Sequence, residues 1–416
     1  MTGTPFTPGG ALLLATVVLL AGSALGLLLL QGRRLRGIPA ITAFFAAVVA
    51  GAVLAGTTAA AGGGPRPAAA ARPGTPVVRE LHLNGQHVPV MVVPNRPGLN
   101  LVGIGVDGTQ KASAGTARDR LTAGTVRAGS AQRWTTVNLP RGESRLWISA
   151  AGAVGSFTVD TGTRTAAPTA LRGADAPECA AAAAGELAAG LDRPLTSCPS
   201  DRLTDADRSA LRAVVTFLAG RGTRTAALVG DDSPRGRAAA AEVRTAAAAA
   251  RITLAAPSTG PVTASARPLI VVAGWQRAQS VLQDVAAGRI RSQGSYLAPW
   301  LLTRSLLTPA AGQIIPLRFT PRTGMPMTYA SALAARLPGE YPSATGYEAW
   351  RRASGAAIKA DADPVRLYAT AVMYIPGSPL SGPGAGGHHH GGATDVDWLP
   401  DGMIAPVAGP FEEKGA

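Results

Sequence analysis

Five histidines are the residues of this 416-residue chain best suited to metal chemistry, and they fall into two clusters, His82 with His87 and His388–His390. The first pair lies in "LHLNGQHVPV", residues 81–90, around Asn84-Gly85. Both turn residues tolerate the positive φ of a type I′ turn, so the segment predicts a tight hairpin. A two-residue loop sets Leu83 opposite Gln86 and therefore His82 opposite His87, with Cβ atoms ~4.5–5.5 Å apart on one face. Leu81, Leu83, Val88 and Val90 then form the core face, while Glu80, His82, His87 and Met91 share the other. Two imidazoles with a carboxylate or thioether nearby make a half-shell for copper or zinc. Neither cluster completes a metal site alone, and His388, His389 and His390 could fill the remaining positions at the hairpin. The competing expectation is polar residues on a solvated strand face and a His tract decorating a flexible tail. Met325 and Met327 in "GMPM" would suit Cu(I), although such pairs more often fill packing gaps.

A second candidate centre is "GDDSPRG", residues 230–236, a loop running into a helix. A helix N-terminus favours anions, but the adjacent carboxylates of Asp231 and Asp232 oppose a phosphate. Capping of the helix by Asp232 or Ser233 is the expected structural role, and Asp231 suits a solute ammonium group. No nucleophile elbow, Walker loop, His-Glu-x-x-His or Ser-x-x-Lys arrangement occurs in a supporting context. Histidine, the usual general base, is absent from the region around this loop. The expectation is a protein that is not an enzyme.

Cys179 and Cys198 are the two cysteines, close enough in sequence to form one local disulfide in an exported domain. The formal net charge is +14 with 5% aromatics. Arginines are scattered rather than striped, without the aromatic interleaving of a nucleic-acid platform, so no nucleic-acid partner is expected. A basic surface still suits an anionic membrane or cell envelope.

Residues 11–30 and 38–61 are two uncharged apolar stretches, the first long enough to cross ~30 Å of hydrocarbon. Arg33, Arg34 and Arg36 lie between them and place that loop in the cytoplasm. Residues 1–61 therefore read as a transmembrane helical hairpin that anchors the chain in the cell membrane. The alternative is a second stretch cleaved as a signal peptide, and either way the bulk of the chain is extracytoplasmic.

Residues 62–76 form a Pro/Gly/Ala linker. Residues 77–165 carry short alternating runs separated by turn signals, the pattern of a small antiparallel β-sandwich. From 174 to 380 the period lengthens and strands alternate with helices, predicting an α/β domain with a parallel sheet. "DADRSALRAVVTFLAGRG" reads as a helix capped by Thr204 or Asp205 and stopped by Gly220 and Gly222. "GSYLAPWLLTRSLL" reads as further helical or mixed structure. Residues 381–416 are a Gly/His-rich tail whose "VDWLPDGMIAPVAGPF" docks back on a domain.

The α/β region resembles type I periplasmic solute-binding proteins, the receptors of branched-chain amino acid and amide ABC transporters. The resemblance is carried by "AALVGDDSPRGRAAAAEVR" (226–244), "PLIVVAGW" (268–275) and "PSATGYEAWR" (342–351), over a region shorter than the family domain. Arg235 stands where the family usually has an aromatic. The resemblance implies a ligand at the carboxyl ends of the strands, held by Asp231, Asp232, Ser233, Arg235, Gly274 and Trp275. It implies a small-molecule solute and an ABC transporter permease as partners. The β region has a weaker resemblance to exported copper-handling sandwich domains through "VMVVPNRPGLNLVGIGVDG" (90–108). The resulting expectation is a membrane-anchored extracytoplasmic protein capturing a small solute for transport or sensing. The alternatives are a copper- or zinc-binding protein using its histidines, and an assembly protein that holds no ligand.

Overall fold

In a computed structural model, residues 72–163, 169–259, 266–308, 312–355, 363–372, 397–400 and 402–411 are described. The two apolar N-terminal stretches and His388–His390 lie outside them. Among the described residues no helix is long and apolar enough to cross a membrane.

The alternating runs form two antiparallel sheets. One has the order β1(Val77–Leu83)–β2(Gln86–Val93)–β3(Gly98–Ile104)–β7(Arg133–Leu139)–β6(Thr125–Val126), and the other β5(Arg120–Ala123)–β4(Ser113–Ala117)–β8(Glu143–Ala150)–β9(Ala153–Asp160). Val88, Val90, Val92, Val102, Ile104, Leu146 and Ile148 fill the space between them. The strand period of two sends the intervening residues of β2 to the opposite face, where Met91 and Val93 are also fully buried. They belong, with Leu101 and Trp134, to the core of the following α/β part. Both faces of the first sheet are thus covered over part of its length, and residues 70–416 make one compact unit.

The α/β part begins with α1(Ala176–Ala188) and α2(Asp205–Gly220). Thr204 caps α2, its hydroxyl accepting from the Asp207 N–H at 3.1 Å. The chain then alternates through β10(Thr225–Val229), α3(Pro234–Ala249), β11(Thr253–Ala255), β12(Ser258–Thr259), β13(Arg267–Val271), α4(Trp275–Ala286), β14(Ile290–Leu297), α5(Arg304–Leu307) and β15(Gln313–Leu317). After α6(Gly324–Arg336) and α7(Ala344–Ala353), β16(Val365–Val372) and β17(Gly402–Phe411) complete the sheet. Its order is β11-β10-β13-β14-β15-β16-β17, with β12 pairing β14. Strands β10, β11, β13, β14 and β15 are mutually parallel, and β16 and β17 are antiparallel to their neighbours. The segment "GSYL", expected to be helical or mixed, is the end of strand β14, because pairing with both β13 and β15 overrides local propensity.

A parallel sheet in which β11 and β13 flank β10 reverses its winding between β10 and β13, the position where open α/β sheets leave a crevice at the strands' carboxyl ends. Cys179 and Cys198 form the disulfide that their spacing predicts, tying α1 to the loop before α2.

Candidate functional site

At the β10/β13 reversal the loop carboxylates are hydrogen-bonded to the chain itself. Asp231, just after β10, accepts from the Ser233 N–H at 3.0 Å and the Ser233 hydroxyl at 2.6 Å. Its other oxygen accepts from the Gly274 N–H at the start of α4. Asp175 accepts from the Gln276 N–H at 2.7 Å, and a Cβ on Gly274 would collide with the Asp175 carboxylate. Two carboxylates thus occupy the N-terminus of α4, where a helix favours negative charge. Burial pushes the Asp175 carboxyl above its usual range, reinforced by the charges of Glu178 and Asp231.

Ser233 caps α3 by accepting from the Gly236 N–H at 2.9 Å, while Asp232 is exposed. Trp275 is fully buried, its Nε1–H donating to the Trp300 carbonyl at 2.9 Å. Gly129, in the loop between β6 and β7, lies so close that a Cβ there would overlap the Trp275 ring. Thr303 donates its hydroxyl to the Gly129 carbonyl at 2.9 Å. The β6–β7 loop of the sandwich is thus packed against the first residue of α4.

Arg235 and Glu178 form a fork-to-fork ion pair at 2.7 and 2.6 Å, with both side chains almost wholly buried. Thr345 donates its hydroxyl to Glu178 at 2.9 Å, and the guanidinium lies 4.2 Å over the Trp300 ring. A planar guanidinium meets a carboxylate edge and an aromatic face simultaneously, which an ammonium cannot. This cluster joins α1, α3, α7 and the turn after β14. Close approach of α1 to α7 allows it, since a Cβ at Gly185 would strike the Gly346 backbone.

Beside this cluster, at the carboxyl ends of β14 and β15, opens a cavity of about 290 Å³. Its walls come from α1, α2, α7 and the loop carrying Cys198. Trp300, Phe319 and Leu317 supply apolar surface, Arg202, Arg235, Arg318 and Arg352 supply cations, and Glu186, Asp207 and Glu348 supply carboxyls. Burial raises all three of those carboxyls above the usual range. Arg352 and Arg193 pull Glu186 back, hydrogen bonds from Thr204 lower Asp207, and Arg351 does the same for Glu348. Of the six residues that the family resemblance suggests for a ligand, Arg235 lines this cavity; Asp231 and Gly274 bond one another at the β10/β13 reversal, Ser233 caps α3, Asp232 is exposed and Trp275 is buried.

The hairpin has the register its turn predicts: His82 pairs with His87 and Leu83 with Gln86, with Asn84 and Gly85 both at positive φ. Glu80, His82 and His87 are exposed, and one ligand atom from each lies within 4.8 Å of the others. Met91, on the same strand face, is buried under the α/β part and stands apart from them.

Sequence reasoning misses Glu178, Glu186, Asp207, Glu348 and Arg352. The available signal was in α1: Glu178 and Glu186 are the sole charged residues in "APECAAAAAGELA", and a lone carboxylate on a helix buried on most sides requires a partner.

No protein-family model and no curated protein matches the sequence. Solved structures similar to part of the chain include an extracellular ligand-binding receptor and proteins of ABC transporters. An extracellular ligand-binding receptor from Verminephrobacter eiseniae is 17% identical, covering 35% of this chain and 48% of its own, at a TM-score of 0.29. A branched-chain amino acid ABC transporter protein from Thermus thermophilus with bound valine is 15% identical, covering 36% and 45%, also at 0.29. A solute-binding protein from R. palustris in complex with benzoate is 10% identical, covering 39% and 60%, again at 0.29. The chain spans about half the length of the first two.

Proposed function

We propose that this chain is a solute-binding protein whose site is the cavity at the carboxyl ends of β14 and β15, and that it binds rather than transforms its ligand. The observation that carries this is the lining: an open-mouthed cavity of about 290 Å³ with arginines, carboxyls and two aromatic rings converging on it. That volume is near the lower end of small-molecule sites. The pairing of both charge signs with an apolar wall fits a zwitterion of amino-acid size. Its carboxylate would meet Arg352 or Arg202, its ammonium Glu348 or Glu186, and its side chain Trp300 and Phe319. The ligand class reported for the neighbouring structures, valine and benzoate among them, is of comparable size.

On this reading residues 11–30 and 38–61 anchor the chain in the cell membrane and present the rest outside. The Cys179–Cys198 disulfide supports an oxidising compartment. The bound solute would be passed to a transporter permease or a sensor. The test is a thermal-shift screen of the purified chain against the common L-amino acids, with amine-only and carboxylate-only analogues of each hit. A ligand at about 100 times its Kd adds about 2.7 kcal/mol of stability. The expected result is a shift for one zwitterion class, lost for both analogues and in Glu348→Gln and Arg352→Ala. No shift with any compound, or equal shifts in the variants, would overturn the assignment.

A further inference from the structure

We propose that Glu80, His82 and His87 form a three-ligand site for a divalent late first-row transition metal ion, independent of the cavity. One ligand atom of each residue lies within 4.8 Å of the other two. The His82 and His87 rings sit edge to face with centroids 4.2 Å apart. Glu80 Oε1 is in direct contact with His87 Nδ1. Two imidazole nitrogens and one carboxylate oxygen on one face are a donor set that zinc and copper(II) accept, with the remaining positions open to water.

The scaffold holds these groups at low cost. His82 and His87 are direct cross-strand partners, and Glu80, two residues before His82, lies diagonally across from His87. The positive φ of Asn84 and Gly85 fixes the turn, and Asn84 Nδ2–H donates to the Ala151 carbonyl at 3.2 Å, pinning the turn to the β8–β9 connection. The opposite face of the hairpin is anchored by buried Leu83, Val88 and Val90, so the register cannot slip without exposing that face. All three ligands are at the surface, open to an ion from solvent. Without a metal, a Glu–His contact this exposed contributes little to stability.

The test uses the full chain, without an affinity tag, carrying His388→Ala, His389→Ala and His390→Ala so that the tail histidines do not contribute. Cu(II) and Zn(II) salts are titrated and followed by native mass spectrometry and, for Cu(II), by electron paramagnetic resonance. The expected result is one equivalent bound, nitrogen hyperfine structure from two imidazoles, and affinity lowered more than about tenfold by His82→Ala or His87→Ala. Glu80→Gln should weaken binding while leaving two-nitrogen hyperfine structure. Circular dichroism and thermal melts of the metal-free variants, whose changes are at the surface, should match the parent. Equal uptake in His82→Ala/His87→Ala and parent, or no uptake once the tail histidines are replaced, would overturn the proposal.

Discussion

The Glu178–Arg235 pair shows how a single residue commits distant parts of the chain. Desolvating two charges is expensive, and the pair persists because the fork is bidentate, Thr345 donates to the carboxylate and Trp300 covers the guanidinium. Removing one partner leaves an uncompensated buried charge. Glu178→Ala should therefore cost about 3–5 kcal/mol, read as a lower urea midpoint. Glu178→Leu combined with Arg235→Met should cost less than the sum of the single changes, since the two sites are in contact. A loss of less than about 1 kcal/mol in Glu178→Ala would contradict this account. At this scale the sequence was legible where partners are local. The His82–His87 pairing follows from a two-residue turn, and the sequence offers Asp232 or Ser233 as the cap of α3, of which Ser233 is the one that caps it. Glu178 and Arg235 are 57 positions apart, and nothing in either neighbourhood names the other.

At the scale of elements, α2 forms one wall of the cavity through Ala206, Asp207 and Ala210. Its start is fixed by a reciprocal box in which Thr204 accepts from the Asp207 N–H and Asp207 accepts from the Thr204 N–H at 3.4 Å. Asp207 is both a cap and a cavity carboxyl. Thr204→Ala should cost about 1 kcal/mol in stability and weaken solute binding as well, whereas a cap without a role at the site would change stability alone. Denaturant melts and ligand titration of the same variant separate the two. The helix was legible because its apolar residues recur with a 3.6 period, burying Leu211, Val214, Val215 and Leu218 together. Strand β14 was not, since "IRSQGSYL" has no alternation and is a strand by virtue of its neighbours on both sides.

For the whole molecule, the decisive feature is the junction of the sandwich with the α/β part. The sequence suggests two domains, and the strand pattern marks Met91 as facing outward, yet Met91 and Val93 enter the α/β core. Alternation identifies two faces of a strand but not what covers the second one. The junction also carries a titrating group. Glu340 accepts from the Ser130 hydroxyl at 3.0 Å and from backbone N–H groups of Ala131 and Tyr341, and burial raises its carboxyl to about 7. A carboxyl whose folded value is raised binds more protons folded than unfolded, so its contribution is fully present below the unfolded value and fades as pH rises through about 7. Stability should fall by up to about 3 kcal/mol between roughly pH 4 and pH 8 from this group, and Glu340→Gln should flatten that part of the pH–stability curve. An unchanged slope in Glu340→Gln would place the titration elsewhere.

The central claim is that a solute occupies the cavity beside Arg235, and calorimetric titration tests it most directly. The zwitterion giving the largest thermal shift would be titrated into the full chain and into Ala206→Trp, which places a bulky ring in the cavity wall without removing a charge. The predicted result is one site per chain in the parent and at least a tenfold loss of affinity in Ala206→Trp, with an unaltered circular dichroism spectrum. Undiminished binding in Ala206→Trp would contradict the claim and place the solute outside this cavity.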